Sequence, residues 1–449
     1  MNIINLPGKF YRSPALKDED FIFFGRLEEV GGIVGIKILE KKSDYLLMPE
    51  IENKTLYAKF KVEWMNNICK AAFEHCYYYP IVGEKNDFID FDSCAWHTAF
   101  LDNKKFVSSE DKYEQICVHI KNLDHWLWDH ELEGKFCIHD NDGLLTLKKY
   151  ILHEIVEIDS KDFSITLHSN PCDRKYDDRS PSTYPNIVIR QNCYLNIKPK
   201  EPQSIEYFYK IIHQIQTYFT ILWNRQCEIL SVISGSEPSN TKCFYKNSLP
   251  WALNWSLKDD PSLFRWDRPI QTGYQHLKDD FKESLNLYFK IYDDFIINSL
   301  ADTRNQPREA LMINRIEILE AYGNIKSKGK NRTDNKEDLK CAIKKIPEDI
   351  LNELFRAGFL CGEQEFYLHE MKPYLREILT EIRNYLIHPY VNGKRKHKEN
   401  LERSSQYFTS EGGYYDSVLD HLLVALYGMI RWLFFKEIGL EKHYDFHLR

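Results

Sequence analysis

The feature that most constrains this 449-residue chain is a change of hydrophobic period near its middle. Up to about Asn196 the apolar residues tend to alternate with polar ones. The runs Phe21–Leu27, Ile33–Leu39, Thr55–Phe60, Glu114–Ile120, Phe163–His168 and Tyr194–Ile197 all read as β-strands. Gly31-Gly32 supplies a turn between the first two, and Leu123, Trp126 and Leu127 begin a short helical turn. At Ser204 the period becomes helical. Ser204 is a good N-cap, and Glu206 stands in the first turn, where it favours the helix dipole. Ile205, Phe208, Ile212, Ile215, Phe219 and Leu222 then form one stripe to about Arg225. Residues 234–250 read as a linker. Further helices are expected over 272–299, 307–322, 347–357, 368–387 and 414–438, with loops over 323–336 and 390–411.

These two periods do not mix along the chain, so they predict an α+β multidomain protein. A β-rich N-terminal domain, sandwich- or barrel-like, is expected over residues 1–200. A helical connector follows over 201–268, and an all-α helical bundle over 269–449. The 28 tyrosines and 26 phenylalanines give ample core, with rings to spare for stacking on bases. No secretory signal is expected from the opening MNIINLPGKFYRSP. The most apolar stretch, around Leu422–Phe435, is interrupted by Arg431, so no membrane span is expected. Eleven singly spaced cysteines suit a reduced, cytoplasmic protein better than a disulfide scaffold.

The chemistry concentrates in Glu381-Ile-Arg-Asn-Tyr-Leu-Ile-His-Pro389. Asn384 and His388 are four apart and share a helical face. Arg383 lies about 140° round an ideal helix from His388, so only its long side chain, or a distorted last turn, brings it to the same cleft. Pro389 disfavours the α conformation at His388 and ends the helix there. A helix C-terminus favours imidazolium, and a nearby arginine opposes it, leaving His388 poised for acid–base work. Arginine offers a fixed cationic fork for phosphate, and Asn384 can orient either group. Together they hold the parts needed to cleave RNA through its own 2′-hydroxyl without a metal. Read as residues alone, the same pattern equally closes a helix with a polar face.

Arg383-Asn384-x-x-x-His388 on the penultimate long helix resembles the R-[NDH]-x-x-x-H motif of HEPN ribonucleases. Phe24-Gly-Arg-Leu27, the run Val118–Leu127 and Pro202-Gln-Ser-Ile-Glu206 resemble the N-terminal domain of ApeA-type anti-phage proteins. The resemblance implies a HEPN-like bundle and an abortive-infection nuclease. It also implies homodimerisation through that bundle, with two motifs in one cleft, and attack on host RNA, tRNA foremost. A phage-encoded trigger protein is the partner expected for the β-rich domain.

The net charge of −7 means that RNA contacts need local positive charge. Lys326, Lys328, Lys330 and Arg332 supply one basic loop; Lys394, Arg395, Lys396 and Lys398 supply another beside the motif. Glu317, Glu320 and Tyr385 are possible supporting residues, although an exposed helix face is the simpler expectation for the two glutamates. His125 with His130, Cys94 with His97, and Cys137 with His139 do not complete a four-ligand zinc spacing, so no metal is expected. No phosphate-binding loop, dinucleotide fingerprint or nucleophile elbow occurs, and no cofactor is expected. The rival reading is a HEPN-containing sensor or binding module for a phage protein or nucleic acid, without catalysis.

Overall fold

The computed structural model of the chain describes residues 7–30, 33–41, 54–62, 67–74, 76–81, 91–95, 98–102, 110–120, 123–127, 152–158, 161–171, 175–176, 187–188, 191–223, 227, 229–234, 242–244, 274–291, 308–326, 335–356, 358–361, 364–387, 390–391, 394–395 and 416–444. The chain divides into two compact units: Met1–Gln216 with Cys227–Ser256, and Thr217–Gln226 with Leu257–Arg449. The first is β-rich and the second mainly helical, so the expected α+β class is observed.

The first unit is built on one 14-stranded sheet. Its order is Leu152–Ile158, Phe163–Pro171, Gln191–Pro199, Ile116–Ile120, Ile229–Ser234, Lys242–Phe244, Thr98–Asp102, Asn67–Glu74, Leu56–Val62, Pro7–Tyr11, Phe21–Val30, Ile33–Lys41, Phe91–Ala95 and Tyr77–Ile81. The strands therefore pair in one hydrogen-bonded series rather than in two separate sheets. The Gly31-Gly32 hairpin forms, with Val30 paired to Ile33, and the turn at Leu123–Leu127 (α1) is helical. Phe10, Phe23, Phe60 and Phe73, from four strands, are fully buried together. The Phe10 ring stacks on Phe23 at 4.8 Å and lies 5.8 Å from Phe60 and 5.7 Å from Phe73. Gly25 makes room for this cluster: a Cβ there would stand 3.0 Å from both the Phe10 and Phe23 rings and 2.8 Å from Ile36.

Two strands correct the sequence reading. Ile229–Ser234 and Lys242–Phe244, which fall in the expected connector and linker, pair into the middle of the sheet. The strand Ile229–Ser234 buries Ile229 and Val232 and exposes Leu230. Ile233 is buried too, so the strand shows no clean alternation, and so short a run does not stand out beside the following Gly-Ser-Glu-Pro-Ser-Asn.

Helix α2, Ile205–Trp223, matches the expected stripe, with Ile205, Phe208, Ile212, Ile215, Phe219 and Leu222 all buried. Its residues 205–216 belong to the first unit and 217–223 to the second. The second unit adds α3 (Tyr274–Ile291), α4 (Arg308–Lys326), α5 (Asn335–Ile343), α6 (Glu348–Leu354), α7 (Leu368–Met371), α8 (Leu375–Ile387) and α9 (Asp416–Glu437). It is not all-α: Gly358–Cys361 pairs with Gln364–Tyr367, and Tyr390–Val391 with Lys394–Arg395. The helix expected over 368–387 is interrupted by a 3-10 turn at Lys372–Tyr374, where Pro373 lacks the N–H a continuous helix would use.

Helix α4 runs through Gly323 to Lys326, past its expected end. Glycine near the end of a helical pattern reads as a terminator. Here it is a packing residue: a Cβ on Gly323 would lie 1.9 Å from the Asp338 carbonyl oxygen, so α4 and α5 cross where only glycine fits.

Helix α9 is the core of the second unit. Its segment Val418–Glu437, with mean hydropathy 1.5, is long and apolar enough to cross a membrane, yet 83% of it is buried inside the protein. Arg431 sits within it at 1% exposure. Its Nε donates to the Ile221 carbonyl at 3.0 Å, and its terminal nitrogen donates to Leu222 at 3.2 Å. These are among the last carbonyls of α2, which lack partners within their own helix and carry the negative end of its dipole. The guanidinium also lies 4.8 Å from the Phe435 ring and 5.3 Å from Tyr444. Arg431→Leu leaves both carbonyls buried without a donor. We expect it to lower stability in urea denaturation by about 2–4 kcal/mol, with Arg431→Lys recovering only part.

Candidate functional site

Helix α8 buries Leu375, Ile378, Leu379 and Ile382. This is the i, i+3, i+4, i+7 face of a packed amphipathic helix. The face rests on α4 and α5. The described helix runs to Ile387, the residue before His388 in sequence. His388 lies outside the described residues, as do Lys328, Lys330, Arg332, Lys396 and Lys398. The backbone of Tyr385 is in α8, and those of Lys394 and Arg395 are in the hairpin that follows the motif; their side chains lie outside the description.

Arg383 and Asn384 are half-buried in the last turn of α8. Arg383 points toward α4. Its Nε lies 3.5 Å from Glu320 Oε2, and its terminal nitrogen lies 3.8 Å from Glu317 Oε1. Neither distance makes a good hydrogen bond. The Arg383 Nε is buried with no hydrogen-bond partner. The guanidinium is thus held by charge, with its Nε donor unspent.

The two glutamates stand in the second half of α4, not in its first turns, and they differ. The Glu317 side chain is 52% exposed, as expected of a surface face, whereas that of Glu320 is only 11% exposed. Glu320 is therefore the correction: its helix face is covered by the packing of α5 and α8. Burial pushes its carboxyl up from 4.5 to about 7; Arg383 pulls it down, while Glu317 and Asp338 push it further up.

Asp338 is the residue the sequence reading missed. It is buried on α5, in the segment that begins just after the expected loop, and its Oδ2 accepts from Asn324 Nδ2 at 3.4 Å. The signal was present: Glu337 and Asp338 in a first turn, then Leu339, Ala342 and Ile343 at helical spacing. The Gly323 crossing brings this carboxylate against α4.

Lys326, expected to bind RNA, sits at the end of α4 and is ion-paired with Glu437 of α9, which also accepts from the Tyr322 hydroxyl at 2.8 Å. Of the residues weighed and set aside as zinc ligands, His97, His130, Cys137 and His139 lie outside the described residues, as do the side chains of Cys94 and His125. Among the described residues no group of three metal-ligating side chains occurs.

Residues 82–288 match the family model of ApeA N-terminal domain 1. The match supports an ApeA-type anti-phage context for the chain and ends before the helices that carry Arg383, Glu320 and Asp338. No curated protein and no solved structure matches the chain.

A carboxyl raised in the folded state binds its proton more readily there than in the unfolded chain. Stability is therefore lost as pH rises from about 4.5 through about 7, and the loss is complete above that window. Glu320→Gln removes the penalty. Thermal or urea unfolding should show the variant more stable than wild type at pH 8, by on the order of 1–3 kcal/mol, and close to it at pH 5.

Proposed function

We propose that this chain is a HEPN-type endoribonuclease of anti-phage defence, cleaving host RNA through Arg383, Asn384 and His388. The imidazole of His388 takes the proton from a ribose 2′-hydroxyl. The 2′-oxygen bonds to the adjacent phosphorus, and the bond from phosphorus to the 5′-oxygen breaks. The departing 5′-oxygen takes up a proton, leaving a 5′-hydroxyl on one fragment and a 2′,3′-cyclic phosphate on the other. Arg383 stabilises the charge gathered on the phosphorane oxygens, and Asn384 orients the imidazole or a phosphate oxygen. No step calls for a metal or cofactor, because acid–base transfer and charge stabilisation both come from side chains.

The observation that supports this reading most is Arg383 itself. A half-buried guanidinium near a helix end, with carboxylates at ion-pair distance and its Nε donor unspent, is suited to a phosphate. The helix continues in sequence straight to His388. The ApeA match over residues 82–288 supports the anti-phage setting. In this proposal tRNA is the foremost substrate, and a phage-encoded protein is the trigger sensed by the β-rich unit. One Arg-Asn-x-x-x-His set is sparse for phosphoryl chemistry. The active form is therefore a homodimer through the helical region, in which a two-fold axis doubles the motif. The basic residues Lys394, Arg395, Lys396 and Lys398 lie next to the motif in sequence and guide the RNA backbone.

His388→Ala and Arg383→Ala should each lower cleavage of total RNA by about 10²–10⁴ while leaving circular dichroism and melting unchanged. RNA-end sequencing from cells expressing wild type or His388→Ala reads the same effect in vivo. A folded variant that cuts at the wild-type rate removes that residue from the mechanism. A wild-type protein that binds RNA and never cuts it points to the non-catalytic sensor.

A further inference from the structure

The buried charges around Arg383 do not balance. On the face of α4 that meets α8 and α5, Glu320 has Arg383 at 3.5 Å, with Glu317 on its own helix and Asp338 on α5 adding negative charge. Helix α8 also buries Glu381, which has interactions of its own and does not enter this cluster's charge. The acids that α9 brings toward α4 are already engaged, Asp420 by Arg308 and Glu437 by Lys326 and Tyr322. Among the described residues, Arg383 is the one cation within ion-pair reach of Glu320.

A phosphate that engages the guanidinium draws its charge away from Glu320. The carboxylate is then left buried beside Glu317 and Asp338, next to a new anion, which is the arrangement that most favours protonation. We propose that Glu320 is a positioning residue that holds Arg383 in the anion-free protein, and that an RNA phosphate binds at Arg383 together with one proton taken up by Glu320. The inference rests on Arg383 being a phosphate-binding residue and adds how that binding is controlled. Glu320 already sits near 7 without RNA, so the proton is bound in the range where cells regulate pH. The carboxylates also exclude anions that bring too few other contacts to offset the repulsion, which favours a polyanion over a lone phosphate.

The test uses the full chain carrying His388→Ala, which keeps that imidazole out of the titration. The probe is a 2′-O-methyl oligoribonucleotide, which lacks the attacking hydroxyl. Binding is measured from pH 6 to pH 8.5 by fluorescence anisotropy. The parent should bind with constant affinity in the acid range and lose roughly tenfold per pH unit above about 7. Adding Glu320→Gln should abolish the slope and give tighter binding than the parent at pH 8.5. Proton uptake by the parent, read from calorimetry in two buffers of different ionisation enthalpy at pH 8, should approach one per bound site and does not depend on the variant folding. An unchanged slope in Glu320→Gln, or no proton uptake, overturns the proposal while leaving Arg383 as the phosphate site. Adding Arg383→Ala should weaken binding; if it does not, the phosphate-site reading falls, and the proposal with it.

Discussion

The second unit depends on the crossing of α4 and α5 at Gly323, where a side chain even of one carbon would strike the Asp338 carbonyl at 1.9 Å. This contact lets α5 lie against α4 closely enough to cover Glu320 and to bury Asp338 beside it. The charge state of the site follows from that geometry. Burial first, and then the negative charge of Glu317 and Asp338, push Glu320 to about 7 against the pull of Arg383. A helix pair held further apart would admit water, Glu320 would ionise normally, and Arg383 would sit in an ordinary surface ion pair of little consequence.

The buried and half-buried arginines of this unit show why Arg383 stands out. Arg431 is fully enclosed and donates to two carbonyls of α2 between two aromatic faces, with its other terminal nitrogen making no hydrogen bond. Arg315 is likewise buried, donates to the Leu423 carbonyl and lies over the Tyr427 ring at 5.4 Å. Both tie helices together. Arg383 has carboxylates at 3.5 and 3.8 Å and a buried Nε with no hydrogen bond. The difference lies in the partners: carbonyls and aromatic rings hold the two buried arginines, whereas carboxylates of α4 face Arg383 at the partly exposed end of α8. The same contrast explains the energetics: Arg431 contributes stability, whereas Glu320 costs stability at neutral pH and above, which a purely structural residue would have little reason to do.

Much of this was legible in the sequence where one physical signal dominated. The period change near Ser204 located the passage from sheet to helix, and the stripe from Ile205 to Leu222 is buried as expected. Arg431 broke the apolar run of α9, which the fold uses as a core helix. The losses came where a signal had two meanings. Gly323 reads as a helix stop and is a crossing point; as a result α5 and Asp338 were hidden behind an expected loop. Ile229–Ser234 is too short and irregular in pattern to separate from the polar run after it, and its place in the sheet comes from long-range pairing with Ile116–Ile120. Glu317 and Glu320 look alike along α4, three residues apart, and only the packing of neighbouring helices decides that one is exposed and the other is not.

The chemistry proposed for the charge cluster at Arg383 can be read directly from its RNA products. The most direct measurement is the end chemistry of RNA incubated with the purified full-length protein in EDTA. Attack by the 2′-hydroxyl leaves 5′-hydroxyl and 2′,3′-cyclic phosphate ends, formed without divalent ions and lost with Arg383→Ala; this is the result the account predicts. Ends bearing 5′-phosphate and 3′-hydroxyl, or cleavage that appears only when Mg²⁺ or Mn²⁺ is restored, would contradict it.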